Sequence, residues 1–220
     1  MKFPAAIAAV LFDMDGVVVD SEPIHAQALA AACHELGLRA DSELPDYRGR
    51  IEPFVASDIL ARNAPTSVTA AQFIACKQEA YERIAAQRLK PMAGAEDFLL
   101  WCSQRRYRLG LVTSGLRVNA EMVLRRFGLD HWFEVVVTGD DVTEGKPHPE
   151  PYHKAAARLG IAPAACVVIE DSLNGVLSGK AAGCFTVALD TTFSRQELTG
   201  VHPDLIIGSF AEIMAGQAPQ

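Results

Sequence analysis

The stretch AVLFDMDGVVVDSE, from Ala9 to Glu22, opens with an apolar run and then places two aspartates two residues apart. An apolar run that stops abruptly at charged residues is typical of a strand buried on both faces. Side chains alternate along a strand, so Asp13 and Asp15 are predicted to point to the same side. They follow the carboxyl end of the strand, where open α/β sheets bind ligands. Taken alone, the pair is also compatible with two solvated loop carboxylates or helix caps.

Five further apolar runs follow along the chain, each short and bounded by glycine or charged residues. They cover residues 107–113, 134–139, 165–171, 184–189 and 204–209. Helical patterns that end at or near glycine separate several of these runs, at 118–129, 149–160 and 174–183. Strands that alternate with helices in this way predict an α/β fold with a doubly wound parallel sheet.

Residues 21–89 interrupt the alternation, because this segment contains no convincing strand. It holds three amphipathic helical patterns, at 23–37, 52–63 and 69–89. The sequence therefore predicts a catalytic α/β core made of residues 1–20 and 90–220. A small all-helical cap domain, residues 21–89, is predicted to be inserted after the first strand.

The composition excludes several classes of partner and compartment. The chain has 220 residues, with 20 Lys and Arg against 27 Asp and Glu, which gives a formal net charge of −7. This balance argues against nucleic-acid and anionic-membrane partners, which require clustered basic residues. The five cysteines are scattered and form no CxxC pair, as expected for reduced thiols in a cytoplasmic protein. We interpret the N-terminal apolar run as a core strand and not as a signal peptide.

Polar groups follow four of the predicted strands and should meet at one edge of the sheet. They are Asp13 and Asp15 after the first strand, Thr113, Ser114 and Gly115 after the second, Lys146 after the third, and Glu170 and Asp171 at the fourth. Close carboxylates repel one another unless a cation lies among them, and oxygen ligands without His or Cys favour Mg²⁺. The hydroxyl, the backbone N–H groups and the lysine suit a phosphate. Together they predict a site for phosphoryl transfer.

Four segments resemble the motifs of the haloacid dehalogenase-like superfamily, and the resemblance covers essentially the whole chain. They are DMDGVVVDSE (13–22), LVTSG (111–115), EGKPHPEPY (144–152) and VVIEDSLNGVLSGKAAG (167–183). The first of them fits the pattern DxDGxxxDS, which is highly specific. The helical insert is similar to the small cap of that superfamily, and the nearest likeness is to sugar-phosphate phosphatases and β-phosphoglucomutase.

The resemblance implies separate roles for the two aspartates of the first motif. Asp13 is expected to be the nucleophile that forms an aspartyl-phosphate. Asp15 is expected to protonate the leaving alkoxide and then to activate the water that hydrolyses the intermediate. Dehalogenases of the superfamily lack the second aspartate, because a halide leaving group needs no proton. The presence of Asp15 therefore favours phosphate esters.

The resemblance also implies how the metal and the phosphate are held. Mg²⁺ is expected to contact the carboxylates of Asp13 and Asp171 and the backbone carbonyl of Asp15, with Glu170 acting through a water. The transferring phosphoryl oxygens are expected to contact Thr113, Ser114, Gly115 and Lys146. The Lys146–Pro147 bond falls where the family often has a cis peptide.

In this family a loop of the cap closes over the site, and here that loop corresponds to residues 46–55. His25 matches a position near the hinge of β-phosphoglucomutase-like proteins, although a partly buried helix histidine is an equally good reading. Arg48 and Arg50 are candidates to meet a second anionic group of the substrate, with solvent exposure as the alternative.

Two departures argue against mutase activity. The position at which the mutase holds its second phosphate with an arginine falls on Glu52 in this sequence, and an acidic residue would repel that phosphate. Arg117 stands near the place where mutase-like proteins carry a lysine after the second motif.

The leading interpretation is a Mg²⁺-dependent phosphatase that acts, as a monomer, on a small phosphorylated metabolite such as a sugar or polyol phosphate. The second is a β-phosphoglucomutase-like isomerase. The third is a non-catalytic phospho-receiver module, which also combines acidic residues, a hydroxyl and a lysine. Such modules have about 120 residues and need no cap, so the helical insert argues against this third interpretation.

Overall fold

The computed structural model describes residues 3–40 and 47–216. Asp46, the first residue of the predicted cap loop, lies outside the described residues. Within them, six strands form one sheet in the order β3-β2-β1-β4-β5-β6, and every neighbouring pair is parallel. The strands are β1 (Ala9–Phe12), β2 (Arg108–Val112), β3 (Val135–Val137), β4 (Cys166–Glu170), β5 (Phe185–Leu189) and β6 (Leu205–Ile207). The predicted doubly wound parallel sheet is confirmed.

Helices cover both faces of the sheet and fill the segment between β1 and β2. In chain order they are α1 (Glu22–Glu35), α2 (Glu52–Arg62), α3 (Ala70–Arg88), α4 (Ala95–Gln104), α5 (Arg117–Phe127), α6 (Glu150–Arg158), α7 (Leu173–Ala181), α8 (Arg195–Thr199) and α9 (Phe210–Gly216). Among the described residues, no helix is both long enough and apolar enough to cross a bilayer.

Strand β1 is buried on both faces, which explains its unbroken apolar sequence. Val10 and Phe12 pack into a large cluster with residues of α4 and α9, whereas Ala9 and Leu11 pack on the other side with residues of α6. Phe12 pairs in register with Leu111 of β2 and Ile169 of β4. The strand order reverses at β1, so a crevice opens beyond its carboxyl end.

The chain leaves the core after β1 and returns to it before α4 along two adjacent paths. Val19 forms an antiparallel bridge with Pro91. The backbone N–H of Asp20 donates to the carbonyl of Lys90, and that of Met92 donates to the carbonyl of Val18, both at 2.9 Å. These pairings lie beside the predicted boundaries at residues 20 and 90, and the division into two domains stays a prediction.

Candidate active site

Lys146 lies at the centre of the predicted site and is almost wholly buried, with 1% of its side chain exposed. Its Nζ donates hydrogen bonds to Asp13 Oδ1 at 2.5 Å, to Glu170 Oε1 at 2.6 Å and to the carbonyl of Val112 at 3.0 Å. The Lys146–Pro147 peptide bond is cis, as the resemblance led us to expect. Burial alone would lower the pKa of Lys146, but the charges of Asp13 and Glu170 outweigh it and raise that pKa. The lysine is therefore a fixed positive charge beside Asp13.

Asp171 brings a second buried carboxylate to the same place. Asp13, Glu170 and Asp171 each offer one carboxylate oxygen within 4.8 Å of the others. Burial is the largest cause that raises the pKa values of Asp13 and Asp171 well above their usual range, and the charge of Glu170 adds to it in both. The charge of Lys146 lowers the pKa of Asp13 but does not outweigh the burial. In the described part of the chain, Asp171 Oδ2 is buried and has no hydrogen-bond partner.

These features fit a hard divalent cation. An orphaned, buried carboxylate oxygen costs free energy unless some group pairs with it. The cluster offers oxygen ligands only, which suits Mg²⁺ better than a transition metal. Gly16, with a φ of +74°, allows the close approach, because a Cβ on it would overlap with Asp171 Oδ2.

Glu170 is held differently from the other two carboxylates. Its Oε1 accepts from Lys146 and, at 2.8 Å, from the buried Tyr152 hydroxyl. Its Oε2 accepts from the Ser172 hydroxyl at 3.0 Å and from the backbone N–H groups of Asp171 and Ser172. With both oxygens already bonded, Glu170 fixes Lys146 and the start of α7.

Asp15 points toward the helices of the inserted segment. Its Oδ1 accepts from the Ser21 hydroxyl and contacts His25 Nε2 at 3.1 Å, and its Oδ2 accepts from Thr113 Oγ1 at 3.2 Å. Burial alone would raise the pKa of Asp15, but the charge of His25 and these hydrogen bonds outweigh it and lower the pKa to about 2. Burial alone would lower the pKa of His25, but Asp15 outweighs it and raises that pKa. His25 also stacks on Tyr81, with 4.5 Å between ring centroids.

The predicted phosphate donors of the second motif lie at the same edge, where the two hydroxyls and the backbone N–H of Gly115 form hydrogen bonds within the protein. Thr113 Oγ1 accepts from the backbone N–H of Gly115 at 3.0 Å. The Ser114 hydroxyl donates to the carbonyl of Gly49 at 2.8 Å. The cap loop is also tied to α7, because the Asn174 amide donates to the carbonyl of Arg48 at 2.9 Å. In this structure the loop is therefore closed against the core.

A cavity of about 450 Å³ lies between the core edge and the inserted helices. Asp15, Ser114 and Gly115 line it from the core. His25, Tyr47, Arg48, Arg50, Glu52 and Lys77 are among the residues that line it from the inserted segment. Its volume suits a small organic molecule.

Three of the four predicted cap and specificity residues line the cavity, and the fourth does not. His25, Arg48 and Glu52 line the cavity, and the Arg48 guanidinium lies 3.5 Å from the centroid of the Phe193 ring. Arg117 does not line it, contrary to expectation, because its guanidinium is paired with Asp141. Glu52 forms a buried ion pair with Lys77, so its negative charge does not stand alone as the sequence suggested.

Lys77 is a cavity residue that sequence reasoning missed. It occupies α3 one turn from Phe73 and one turn from Tyr81, both of which are buried. A lysine in such an apolar stripe was the available signal, since an unpaired charge is rarely buried. Tyr152 was also missed, because only the folded chain brings it to Glu170. Ser21 appeared as the last residue of the first motif, but its hydrogen bond to Asp15 was not predicted.

Comparison with known proteins finds similar sequences over nearly the whole chain. A family model of haloacid dehalogenase-like hydrolases matches residues 7–183. Hexitol phosphatase B of Escherichia coli (strain K12) is 30% identical over an alignment of 227 residues that covers 98% of each chain. Validoxylamine A 7'-phosphate phosphatase of Streptomyces hygroscopicus subsp. limoneus is 35% identical over 211 residues, which cover 92% of this chain and 94% of that protein.

A solved structure shows the same architecture. CbbY from Rhodobacter sphaeroides, in complex with phosphate, is 28% identical and superposes with a TM-score of 0.80, covering 96% of this chain and 98% of that one. The family match and the two relatives agree with the site geometry and extend over nearly the full length. The chain belongs to the haloacid dehalogenase-like hydrolases and is a phosphatase of that family.

Proposed function

We propose that this chain is a Mg²⁺-dependent phosphatase that hydrolyses a sugar or polyol phosphate through an aspartyl-phosphate on Asp13. The contrast between the two aspartates of the first motif carries the proposal. Asp13 contacts a buried lysine among other carboxylates, whereas Asp15 contacts His25, Ser21 and Thr113. Titratable groups whose surroundings differ this much suit different chemical roles. The names of the relatives, which refer to hexitol and carbohydrate phosphates, support the substrate class.

The proposed reaction has two steps. In the first, a carboxylate oxygen of Asp13 attacks phosphorus, and the bond from phosphorus to the bridging oxygen of the substrate breaks. Asp15 gives that leaving oxygen a proton, which it can draw from His25 through the hydrogen bond between them. In the second step Asp15 takes a proton from a water, whose oxygen attacks phosphorus while the bond from phosphorus to Asp13 breaks. Inorganic phosphate leaves, and the Asp13 carboxylate is restored. A pKa of about 2 means that Asp15 is ionised before this step.

The remaining groups bind the metal and the phosphate. The carboxylates of Asp13 and Asp171 and the backbone carbonyl of Asp15 would hold Mg²⁺, with Glu170 acting through a water. When bound, the metal supplies positive charge that offsets the charge of the phosphoryl oxygens. Those oxygens would contact Thr113, the backbone N–H groups of Ser114 and Gly115, and Lys146.

The other interpretations fit less well. A phospho-receiver module does not account for membership of a hydrolase family or for the cap helices. A β-phosphoglucomutase-like isomerase needs a cationic group for a second phosphate, and the aligned position holds Glu52, whose ion pair with Lys77 carries no net positive charge. We also propose that the protein acts as a cytoplasmic monomer on a small phosphate ester, without nucleic-acid or membrane partners.

The direct test is hydrolysis of p-nitrophenyl phosphate with and without Mg²⁺. We expect turnover that requires the metal, and a loss of at least ~1000-fold in Asp13→Asn, as found when an enzyme loses its nucleophile. Asp97→Asn, the same change at an exposed position of α4, should match the wild type. Normal activity in Asp13→Asn would refute the nucleophile assignment.

An assay with β-glucose 1-phosphate and a trace of bisphosphate separates phosphatase from mutase. We expect release of inorganic phosphate. Formation of glucose 6-phosphate without equivalent free phosphate would instead establish the mutase.

A further inference from the structure

The ion pair between Glu52 and Lys77 is an unusual feature of the cavity wall. Glu52 begins α2 and Lys77 lies in the middle of α3, and the lysine Nζ donates to Glu52 Oε1. Both residues are buried, with 9% of the surface of Glu52 and 7% of that of Lys77 exposed. Burying two charges costs free energy that their mutual attraction only partly offsets. The pair is therefore better explained by what it binds than by stability.

The second oxygen of Glu52 points to a ligand. Within residues 3–40 and 47–216, Glu52 Oε2 is buried and accepts no hydrogen bond. A buried, unsatisfied carboxylate oxygen calls for a physical explanation. Glu52 and Lys77 both line the cavity that Asp15 lines from the core side. A molecule held there with its phosphate against the core would bring its remaining groups to this pair.

The charge of the pair defines which chemical groups of a bound molecule can lie against it. The carboxylate oxygen can accept a hydrogen bond, and the ammonium of Lys77 has three protons, of which the bond to Glu52 uses one. The pair as a whole is neutral. A second phosphate would be repelled by Glu52 and an amine by Lys77, whereas adjacent hydroxyl groups can donate to one partner and accept from the other.

We propose that the Glu52–Lys77 pair binds adjacent hydroxyl groups of the substrate's carbon chain and so selects hydroxyl-rich phosphate monoesters. This assignment rests on the proposed function and names the part of the substrate that the cap recognises. Glu52 is a specificity residue in this account, and it takes no part in the chemistry at phosphorus. Sites built to bond a hydroxyl discriminate strongly against analogues without it, because their own polar groups are then left unpaired.

The test compares two substrates on three proteins. Hexitol 6-phosphate carries the hydroxyl chain, and p-nitrophenyl phosphate carries none. The variants are Glu52→Gln, which keeps the shape of the side chain, and the double variant Glu52→Met with Lys77→Met, which leaves no unpaired buried charge. We expect kcat/KM for hexitol 6-phosphate to fall at least about tenfold in the double variant, mainly through KM, while kcat/KM for p-nitrophenyl phosphate stays within about threefold. The single variant should show the same pattern, more weakly.

Deoxy analogues of hexitol 6-phosphate sharpen the comparison. The wild type should discriminate against the analogue that lacks the bound hydroxyl, and the double variant should not. Glu79→Gln, the same change on the exposed face of α3, is the matched control and should retain wild-type values for every substrate.

Each remaining outcome counts against the proposal. Equal losses on both substrates would assign the pair a structural role, and unchanged discrimination in the double variant would remove it from substrate recognition. If the wild type hydrolyses p-nitrophenyl phosphate but no hydroxylated ester, this inference fails while the phosphatase assignment stands. If it hydrolyses neither, the proposed function fails and this inference fails with it.

Discussion

Gly16 determines how closely the first motif approaches the carboxylate of Asp171. Its φ of +74° is rare for residues with a side chain, and a Cβ there would overlap with Asp171 Oδ2 and lie 2.8 Å from Thr192 Oγ1. We expect Gly16→Ala to lower the free energy of unfolding by at least about 2 kcal/mol, from backbone strain and overpacking together, and to impair turnover. Urea unfolding and the p-nitrophenyl phosphate assay measure the two effects.

Gly37 provides the control for backbone strain alone. Its φ is +65°, and among the described atoms nothing lies within 4 Å of the position of its Cβ. Gly37→Ala should therefore cost only about 1 kcal/mol and leave turnover unchanged. Equal costs for the two substitutions would show that the contact with Asp171 does not constrain Gly16.

Asp141 contributes stability that depends on pH. Burial alone would raise its pKa, but hydrogen bonds from Arg158 and Thr138 and the charge of Arg117 lower it to about 2 from an ordinary value of 3.8. A lowered pKa stabilises the fold above the unfolded value, and this contribution is lost as the pH falls through the folded value. Asp141→Asn should thus be less stable than the wild type at pH 7, and the gap should narrow between about pH 4 and pH 2. Thermal unfolding across that range measures the gap, and a gap that stays constant would contradict the assignment.

Residues at the ends of strands were predictable, and those that meet across the cap were not. Asp13, Thr113, Lys146 and Asp171 could be brought together from the sequence, because parallel strands all end at one edge of the sheet. The partner of Glu52 could not be found in this way, since the contact between α2 and α3 depends on how the two helices pack in the folded chain. The prediction that Arg117 belongs to the substrate site was not met for a related reason. Its guanidinium pairs with Asp141, and the residue does not line the cavity.

Most helices and strands were predictable from the apolar periodicity of the sequence and from the glycines at their ends. The pattern at 118–129 became α5 (Arg117–Phe127), which ends at Gly128 with a φ of +65°. The helix α4 (Ala95–Gln104) was not predicted, although it packs under the sheet beside β1 through Phe98. Glu96 and Asp97 in its first turn are a local signal for the start of a helix.

An amide pair links α3 of the inserted segment to α5 of the core. Gln78 and Asn119 exchange two hydrogen bonds through their side-chain amides, at 2.5 and 3.0 Å. Asn119→Ala removes both bonds and should cost about 1–2 kcal/mol of stability. Hydrogen exchange along α3 should quicken more than exchange along α7, since α7 lies far from the lost contact in sequence and fold. Unchanged exchange along α3 would mean that this pair does not hold the two parts together.

At the scale of the whole molecule, the inserted helices and the core share one hydrophobic cluster. Ala28 of α1 and Tyr81 of α3 belong to the same cluster as Phe12 of β1. A second cluster, which includes Ile59 and Phe73, lies within the inserted segment itself. Apolar patterning predicted that the insert is helical, but it did not show how much of the insert packs on the core.

Metal binding should change the stability of the whole fold. A ligand that binds only the native state at 100 times its Kd stabilises it by about 2.7 kcal/mol. We expect Mg²⁺ to raise the Tm of the wild type and to leave Asp171→Asn unchanged. Without metal, Asp171→Asn should equal or exceed the wild type in Tm, because it removes one of several close buried carboxylates. If Mg²⁺ raised the Tm of Asp171→Asn as much as that of the wild type, the metal would bind at a site that does not include Asp171.

The central claim is that Asp13 carries the phosphoryl group during turnover. The most direct measurement is rapid acid quenching during hydrolysis of a phosphate monoester, followed by peptide mass analysis and treatment with hydroxylamine. We expect one phosphoryl group, labile to hydroxylamine, on the peptide that contains Asp13, and none in Asp13→Asn. Steady turnover with no phosphorylated protein at any quench time, or a phosphoryl group on another residue, would contradict it.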